Sequence, residues 1–253
     1  MSIKYLTVFL KNKETMKKLE QLYEGKAKII YATENPDEVI QYFKDDASAF
    51  NGVKKGTIVD KGVVNNHVSN VIFKYLEDNG IRTHLVKELN DRETVTKHLE
   101  IIPVEVVLRN VVAGSLAKRM GLEEGTTMKA PILEFYYKDD DLGDPMINEY
   151  HIKEFGLATA EEIEILRERG FKVNELLFEF FKQRNIRLVD FKIEFGRHKG
   201  EILLGDEISP DGCRFWHWET GEKMDKDRFR FNLGQVEEKY QEVYQLICGP
   251  ALR

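Results

Sequence analysis

Hydrophobic and charged residues alternate most regularly in residues 188–195. The apolar side chains occupy every second position: Val189, Phe191, Ile193 and Phe195. The side chains between them are charged: Asp190, Lys192 and Glu194. Because successive side chains of a β-strand point to opposite faces, this pattern predicts a strand with one apolar and one charged face. A second run, residues 201–207, follows the turn residues Lys199 and Gly200, so the two segments are predicted to form a hairpin.

Four carboxylates and one lysine are predicted to lie near one end of this hairpin: Asp190, Glu194, Asp206, Glu207 and Lys192. Carboxylates that lie close together repel each other unless a cation sits among them, and their hard oxygen atoms suit Mg²⁺. The pattern therefore indicates a magnesium site. An amphipathic hairpin with a solvated charged face explains the same pattern, so both interpretations stay open.

The position of Asp206 relative to Glu194 depends on the turn. Regular pairing across a two- or four-residue turn places Asp206 on the apolar face of its strand. A metal site shared with Glu194 therefore requires a three-residue turn, a bulge, or a position for Asp206 just beyond the regular pairing. The sequence is compatible with each of these arrangements.

A second candidate anion site is the segment 22–31. It reads as strand, tight turn and strand, with Gly25 at the turn and Lys26 and Lys28 beside it. A glycine lets backbone amides approach a phosphate, and a neighbouring lysine supplies positive charge. This combination is typical of a nucleotide site, although glycine–lysine turns are also common on protein surfaces.

A third candidate anion site is the segment 99–121. Its predicted strand, residues 99–109, carries Arg109 on an unusually polar face, which favours an anionic partner for the guanidinium. Pro103 within the strand indicates a sheet edge or a crossing between lobes. Ser115 is predicted to cap a short helix that ends at Gly121, and such a glycine–serine entry is typical of a phosphate site as well as of plain capping.

Apolar spacing predicts the main helices. In the segment 64–76 the apolar residues recur at helical spacing, which predicts a helix. The polar Asn65 and Asn66 in this segment are expected to be solvated or to cap the helix. Thr159 and Glu162 are predicted to form a capping box that opens a helix at 160–169, and a second helix is predicted at 171–184, because Gly170 interrupts the pattern.

Composition limits the class of protein. Of the 253 residues, 42% are hydrophobic and 32% charged, as in a soluble globular protein of one large or two small domains. The formal net charge of −6 argues against nucleic acid as a partner, because such binding requires many neutralised phosphates. No apolar run approaches the roughly 20 residues that cross a bilayer, so no membrane association is expected. Cys213 and Cys248 provide neither a disulfide framework nor metal-ligand spacing, which favours a cytoplasmic location.

Seven motifs, in this order, resemble the phosphoribosylaminoimidazole-succinocarboxamide synthase (SAICAR synthetase) family. They are LYEGKAK, KGVVNNHVSN, IPVEVVLRNVVAGSLAKR, DPMINEYH, LVDFKIEFG, LGDEISPDGCRFW and MDKDRFR. The family uses ATP to join a carboxylated aminoimidazole ribotide to L-aspartate in purine synthesis. The resemblance implies an α+β, two-lobed ATP-grasp/kinase-like fold with antiparallel sheets and the nucleotide bound between the lobes. It divides the chain into an N-terminal extension (1–15), a nucleotide-binding lobe (16–102) and a substrate- and metal-binding lobe (103–253).

The resemblance also implies roles for individual residues. The ATP-binding residues are Gly25, Lys26 and Lys28 at the phosphates and Leu99 and Ile101 at the adenine. The residues that hold the anionic ribotide are Arg109, Ser115, Arg214 and Arg230. Asp190 and Lys192 line the reacting carboxylate as catalytic residues, and Glu194 and Asp206 bind Mg²⁺.

The expected cofactors are thus ATP and Mg²⁺, and the expected partners are small-molecule substrates and a second copy of the chain, since homodimers are common in the family. Two positions depart from the family pattern. Cys213 stands where serine or threonine is expected, and a thiol is the weaker hydrogen-bond donor. Asn51 stands where some members have aspartate, and residues 1–15 have no counterpart in the family.

Two other functions fit the same residues. A kinase-like phosphotransferase would form ADP without aspartate, and a regulatory nucleotide-binding protein would be stabilised by ATP without forming ADP. A structural or nucleic-acid-binding protein fits worst, because it gives the charged residues no purpose and conflicts with the acidic net charge.

Overall fold

The structure is a computed structural model that describes residues 16–50 and 52–249. The predicted extension at 1–15 and Asn51 lie outside the described residues. The architecture of the described part is mixed α+β, and the pairings between its named strands are antiparallel. Among the helices that the structure describes, none has the length and apolar character needed to cross a membrane.

The strands and helices follow one another along the whole described chain. The strands are β1 (Gln21–Glu24), β2 (Lys28–Ala32), β3 (Glu38–Phe43), β4 (Asp46–Ala49), β5 (Lys54–Thr57), β6 (Leu85–Asn90), β7 (Glu93–Lys97), β8 (Glu100–Val111), β9 (Thr127–Tyr137), β10 (Met146–Ile147), β11 (Ile186–His198), β12 (Glu201–Gly205) and β13 (Cys213–His217). The helices are α1 (Lys61–Asp78), α2 (Gly114–Met120), α3 (Glu149–Glu154), α4 (Ala160–Lys182), α5 (Asp227–Arg230) and α6 (Val236–Cys248).

The first sheet has the strand order β1-β2-β3-β7-β6, and α1 packs against β3, β6 and β7. The predicted strand–turn–strand at 22–31 is confirmed, because β1 and β2 pair and the Gly25 amide donates to the Lys28 carbonyl oxygen at 2.8 Å. The expectation that Asn65 and Asn66 are solvated or capping is wrong: both lie in the interior of α1 and are fully buried. Asn66 finds its hydrogen-bond partners on the sheet, which the helical spacing of the sequence does not reveal.

The second sheet has the order β10-β9-β8-β11-β12, and β13 pairs with the other end of β11. Strands β8 and β11 are therefore central, and α4 covers one of their faces. The predicted alternation along β11 is broken at Val189, where the pairing with β13 slips between Leu188 and Asp190. Because of this bulge, Leu188 joins Phe191, Ile193 and Phe195 in the main core, while Val189 packs in a small separate cluster.

The hairpin of β11 and β12 has a two-residue turn, Lys199–Gly200, with φ of 50° and 81°. Positive φ at both positions is the geometry of a tight turn whose twist matches that of the strands. His198 then pairs with Glu201, and the ladder ends where Glu194 pairs with Gly205. Asp206 follows with φ of 58° and leaves the strand. Of the arrangements compatible with the sequence, the one observed has Asp206 just beyond the regular pairing.

Pro103 is not on an edge strand, because β8 lies between β9 and β11. The pairing of β8 with β11 shifts between Glu194–Glu105 and Gly196–Ile101, so that three residues, 102–104, lie opposite Phe195. Proline lacks an amide hydrogen and is tolerated in a central strand only at such an irregularity. The irregularity lies next to the passage from β7 of the first sheet to β8 of the second, which is the crossing that Pro103 indicated.

Helix α4 is continuous through Gly170, so the prediction of two helices at 160–184 is wrong. The capping box of Thr159 and Glu162 at its start is present. A Cβ atom at residue 170 would lie 3.2 Å from methyl groups of Leu133 and Val106. Glycine is therefore used inside this helix because it lets α4 approach the sheet closely, and the helix tolerates its lower propensity.

Replacing Gly170 with isoleucine is expected to lower the free energy of unfolding by about 2 kcal/mol or more, because the larger side chain overpacks the contact between α4 and the sheet. Urea unfolding measures the change. Glu168→Ile at an exposed position of the same helix is the control and is expected to alter stability by less than about 0.5 kcal/mol. Equal stability of the two variants would show that the close approach at residue 170 has no energetic importance.

Candidate active site

The middle parts of β8 and β11 and the end of β12 bring together a group of carboxylates and lysines. We call this group the acidic cluster; it contains Glu105, Glu194, Asp206, Glu207, Lys28, Lys138 and Lys192. Lys192 lies at its centre, with its Nζ 2.8 Å from Glu105 Oε1, 2.5 Å from Glu194 Oε1 and 3.4 Å from Asp206 Oδ2. The predicted pair Glu194 and Asp206 is therefore brought together around one ammonium group.

Two further lysines reach the acidic cluster from other strands. Lys28 of β2 donates to Asp206 Oδ1, and its Nζ lies 3.3 Å from Glu207 Oε2. Lys138, which follows β9, donates to Glu194 Oε1 at 2.8 Å. Lys28 and Glu207 form an ion pair without a hydrogen bond, and Glu207 Oε2 is buried with no hydrogen-bond partner among the residues that the structure describes. The first and second sheets thus meet at Asp206.

Burial and charge act in opposite directions on the pKa values of the acidic cluster. Burial lowers the pKa of Lys192, but Glu194, Asp206 and Glu105 outweigh it and raise that pKa well above its usual value. Burial raises the pKa of Asp206, but Lys28, Lys192 and Lys138 hold it far below its usual range. For Glu105, burial prevails over Lys192 and raises the pKa. Lys192 is consequently a permanent cation, and Asp206 a permanent anion, near neutral pH.

The acidic cluster suits a divalent cation chemically. Mg²⁺ binds through one or two protein carboxylates and completes its coordination with water and substrate phosphates. Glu194 and Asp206 supply two carboxylates that already share a cation, and Glu207 Oε2 is a buried oxygen without a hydrogen-bond donor. Within residues 16–50 and 52–249, no group of three or more histidine, cysteine or carboxylate side chains is arranged to hold a metal ion. A metal here would therefore depend on a phosphate ligand as well.

Next to the acidic cluster lies an arginine cluster. It contains Arg109, Arg119, Arg214 and Arg230 together with Glu134, Asp190 and Asp227. Asp190 Oδ2 accepts from Arg109 Nη1 and from Arg214 Nη1, each at 2.9 Å. Asp227 accepts from Arg214 Nε at 2.9 Å and from Arg230 Nη1 at 2.6 Å.

Arg109 shows how completely these side chains are fixed. It is 3% exposed, and its Nε donates to Glu134 Oε2 at 2.7 Å. Its Nη2 donates to Ser115 Oγ and to Tyr136 Oη, both at 3.0 Å. Burial lowers the pKa of Arg109, but Asp190 and Glu134 outweigh it and raise that pKa. The sequence-based expectation of an anionic partner for Arg109 is correct, and here the partners are protein carboxylates.

Ser115 does not cap its helix, contrary to the prediction. Helix α2 begins one residue earlier, at Gly114, and its N-cap residue Ala113 provides no side-chain hydrogen bond. The Ser115 hydroxyl instead accepts from Arg109, whose guanidinium reaches it from β8. The end of the helix at Gly121, with φ of 63°, is as predicted.

Both clusters open into one cleft of about 300 Å³. Six of the predicted site residues line it: Arg109, Ser115, Asp190, Lys192, Arg214 and Arg230. A larger cavity of about 690 Å³ lies between α4 and β9 and is lined by Phe171, Phe178 and Trp218. It contains none of the predicted residues and no cluster of buried charge. The smaller cleft is therefore the better candidate for the active site.

The other predicted site residues lie outside this cleft. Glu194, Asp206 and Lys28 belong to the acidic cluster, whereas Lys26 forms an exposed ion pair with Asp140 at 2.6 Å. Leu99 lies against the backbone of β11 and β12, because a Cβ atom at Gly196 or Gly205 would be within 3 Å of its side chain. Ile101 is 38% exposed on β8.

Several residues of the two clusters were missed by sequence reasoning. Lys138, Glu134 and Asp227 come from segments whose charged residues had no pattern to connect them with the hairpin. Glu105 had a signal, the polar face that it shares with Arg109. The register of β8 against β11 places it opposite Glu194, and only the fold supplies that register.

Cys213 is buried at the start of β13 beside Arg214. Burial, together with the negative charge of Asp190, raises the pKa of its thiol well above the usual value. The side chain is therefore a neutral thiol in the wall of the cleft, and it is not a nucleophile.

Replacing Gly114 with alanine is expected to destabilise the protein more than replacing Gly121 with alanine. Both residues have positive φ, which costs a β-carbon about 1 kcal/mol. At residue 114 a Cβ atom would also lie 2.5 Å from Arg214 Nη2, whereas residue 121 has open space. Thermal unfolding of the two variants measures the difference, and equal destabilisation would show that Arg214 moves aside without loss.

Known proteins resemble this chain over most of its length. Residues 21–247 match the family model of SAICAR synthetase. The phosphoribosylaminoimidazole-succinocarboxamide synthase of Clostridium botulinum (strain Alaska E43 / Type E3) is 59% identical over 233 residues, which are 92% of this chain and 99% of that protein. The enzyme of the same name from Chlorobium chlorochromatii (strain CaD3) is 60% identical over 228 residues, which are 90% of this chain and 97% of that protein.

Solved structures of the same kind share the fold. The phosphoribosylaminoimidazole-succinocarboxamide synthase of Ehrlichia chaffeensis superimposes with a TM-score of 0.89 at 48% identity, covering 92% of this chain and all of that one. A SAICAR synthetase (Type-2) in complex with ADP gives 0.89 at 47% identity, covering 91% and 99%. The chain belongs to the SAICAR synthetase family.

Proposed function

We propose that this protein is the ATP-dependent ligase that joins carboxyaminoimidazole ribotide to L-aspartate, giving SAICAR, ADP and phosphate in de novo purine biosynthesis. The observation that carries the proposal is the cleft where the arginine and acidic clusters meet. It offers a site for an anionic substrate beside a site suited to a metal and phosphates. The family membership and the relatives that are about 60% identical support the same activity.

ATP is assigned to the junction of the two sheets, in a two-lobed ATP-grasp/kinase-like arrangement with lobes at 16–102 and 103–253. The bound ADP in the 47% identical structure supports nucleotide binding. The position of Lys28 supports this assignment, because its ammonium group lies at the junction, where it donates to Asp206. Gly25 and Lys26 of the same turn complete the phosphate site, and the backbone of Leu99 and Ile101 binds the adenine.

Glu194 and Asp206 are assigned as the carboxylates that hold Mg²⁺. The ion would supply positive charge to offset the negative charge that develops on the transferring phosphate. The ammonium groups of Lys192 and Lys28 also offset this negative charge. Because the pKa of Lys192 is raised, its ammonium stabilises charge and is not a general base.

The ribotide is assigned to the arginine cluster, with its phosphate near Ser115, Arg109 and Arg214 and with Arg230 completing the anion site. Asp190 joins Arg109 and Arg214, so it fixes their orientation and faces the same cleft as Lys192. The guanidinium groups are thus held in place before substrate binds, which lowers the entropy lost on binding.

The reaction is proposed to pass through an acyl phosphate, because a free carboxylate is a poor electrophile and must be activated before an amine can attack it. An oxygen of the ribotide carboxylate attacks the γ-phosphorus of ATP, and ADP leaves with the electron pair of the broken P–O bond. The neutral amine of L-aspartate then attacks the acyl carbon, and phosphate leaves with the electron pair of the broken C–O bond. The nitrogen gives one proton to the solvent and keeps the other as the amide N–H. Lys192 stabilises the negative charge in both steps. The homodimer and the cytoplasmic location stay predictions.

Omitting one substrate at a time tests this function. ADP release from Mg–ATP is expected only when carboxyaminoimidazole ribotide and L-aspartate are both present, together with one equivalent of succinocarboxamide product. ADP formed without aspartate would favour a phosphotransferase, or an acyl phosphate lost to water. ADP formed under no combination would favour a regulatory nucleotide-binding protein.

Replacing Glu194 with glutamine is expected to lower kcat by at least about 100-fold, because the variant keeps the shape of the side chain but loses the charge that holds the metal. The same assay measures it, with circular dichroism to confirm the fold. Glu201→Gln, at the exposed start of β12, is the matched control and is expected to keep full activity. A fully active Glu194→Gln enzyme would contradict the metal assignment.

A further inference from the structure

Lys61 is a fully buried lysine that the proposed function does not use. Its side chain has no exposed surface, and its Nζ lies 2.9 Å from Asp211 Oδ2. It is also the first residue of α1, where the positive end of the helix dipole disfavours a cation. A residue that is disfavoured both by burial and by the dipole needs a specific interaction to hold it there.

Asp211, its partner, is held from three sides. Besides Lys61 on α1, Tyr240 on α6 donates to Asp211 Oδ1 at 2.7 Å, and Lys226, just before α5, approaches Oδ2 at 3.3 Å. Burial raises the pKa of Asp211, but Lys226 and Lys61 outweigh it and lower that pKa far below its usual range. The carboxylate is thus permanently charged and has no free oxygen for a proton-transfer role.

The turn that contains Asp211 joins the two clusters of the active site. It runs from Asp206, which is in the acidic cluster, to Arg214, which is in the arginine cluster. Asp211 itself lines the cleft, and the carbonyl oxygen of the next residue, Gly212, accepts from the Lys192 amide at 3.0 Å. Displacement of this turn would therefore shift both sides of the cleft at once.

Helix α1 holds this turn at two points. Lys61, the first residue of the helix, binds Asp211 near the end of the turn. Ser69 lies two helical turns further along the same face and accepts a hydrogen bond from the Ile208 amide at 3.2 Å. Because α1 packs on the first sheet, these contacts tie the cleft to the part of the chain assigned to ATP. Lys61 and Ser69 both belong to the motif KGVVNNHVSN, so one role of this motif is to hold the turn.

We propose that Lys61 is a positioning residue of the ligase, which acts through Asp211 to fix the turn 207–212 between the metal and ribotide sites. Its role rests on the proposed function, because its effect is expressed in that reaction. The Lys61 side chain has no surface exposed to the cleft for a substrate to contact, and its contribution is to keep Lys192 and Arg214 in register across the cleft.

Lys61→Met tests this role, because methionine fills the space without the charge. We expect kcat/KM for the ribotide to fall between about 10- and 100-fold, as for a displacement near 1 Å in an active site. Lys74→Met, an exposed position of the same helix, is the control and keeps wild-type kinetics.

Two further variants separate positioning from stability. Tyr240→Phe removes only the hydroxyl that binds Asp211 and is expected to lower kcat/KM about fivefold. The double variant Lys61→Met/Asp211→Asn removes the buried unpaired charge, so it is expected to recover thermal stability but not activity. A double variant that recovers both would overturn the proposal, since Lys61 would then only neutralise a charge. Wild-type kinetics in Lys61→Met would overturn it as well.

Hydrogen exchange gives a measurement that does not depend on turnover. In Lys61→Met, faster exchange is expected in the peptides that cover residues 207–213 and in the Lys192 amide. Unchanged exchange there would overturn the positioning role. If the wild-type enzyme formed no SAICAR, the proposed function would fail, and the exchange measurement would still decide whether Lys61 holds the turn.

Discussion

The structure depends on pairing the charges that β11 carries into the interior. Asp190 and Glu194 are 4% and 3% exposed, although they lie on a central strand with neighbours on both sides. Removing a carboxylate from water is tolerated only when cations and hydrogen bonds replace the solvent. Arg109, Arg214 and Lys192 fulfil that need. Strands β8 and β13 must then pair with β11 in the register that brings Arg109 and Arg214 to Asp190, so the chemistry of the site and the pairing of the sheet constrain each other.

The turn after β12 is the second constraint. With a two-residue turn at Lys199–Gly200, one more paired residue would point Asp206 towards the apolar face. The chain avoids this by ending the ladder at Gly205 and by giving Asp206 a left-handed backbone conformation. Asparagine and aspartate tolerate that conformation better than most residues. Local backbone geometry therefore converts a regular hairpin into one whose last carboxylate joins Glu194.

Sequence patterns predicted those features that depend on neighbours along the chain. The hairpins at 22–31 and 188–207, the capping box at Thr159 and the helix end at Gly121 were predictable in this way. The features that were missed depend on contacts between distant segments. Helix α4 continues through Gly170 because the sheet lies close to it. Asn66 is buried because a threonine hydroxyl of β7 donates a hydrogen bond to it. The Ser115 hydroxyl accepts a hydrogen bond from Arg109 and does not cap its own helix. The resemblance to a family supplied the residues of the site, whereas their ion pairs had to come from the fold.

The two clusters carry residual charges of opposite sign. In the acidic cluster four carboxylates meet three ammonium groups, which leaves one negative charge for a metal ion to balance. In the arginine cluster four guanidinium groups meet three carboxylates, which leaves one positive charge for an anion. Under the proposed function, these charges of opposite sign along the cleft would orient a substrate that has a phosphate at one end and a reacting carboxylate beside a metal at the other. Because both residual charges remain after internal pairing, ligands bound in this way would meet groups that are already fixed, and binding would require little reorganisation.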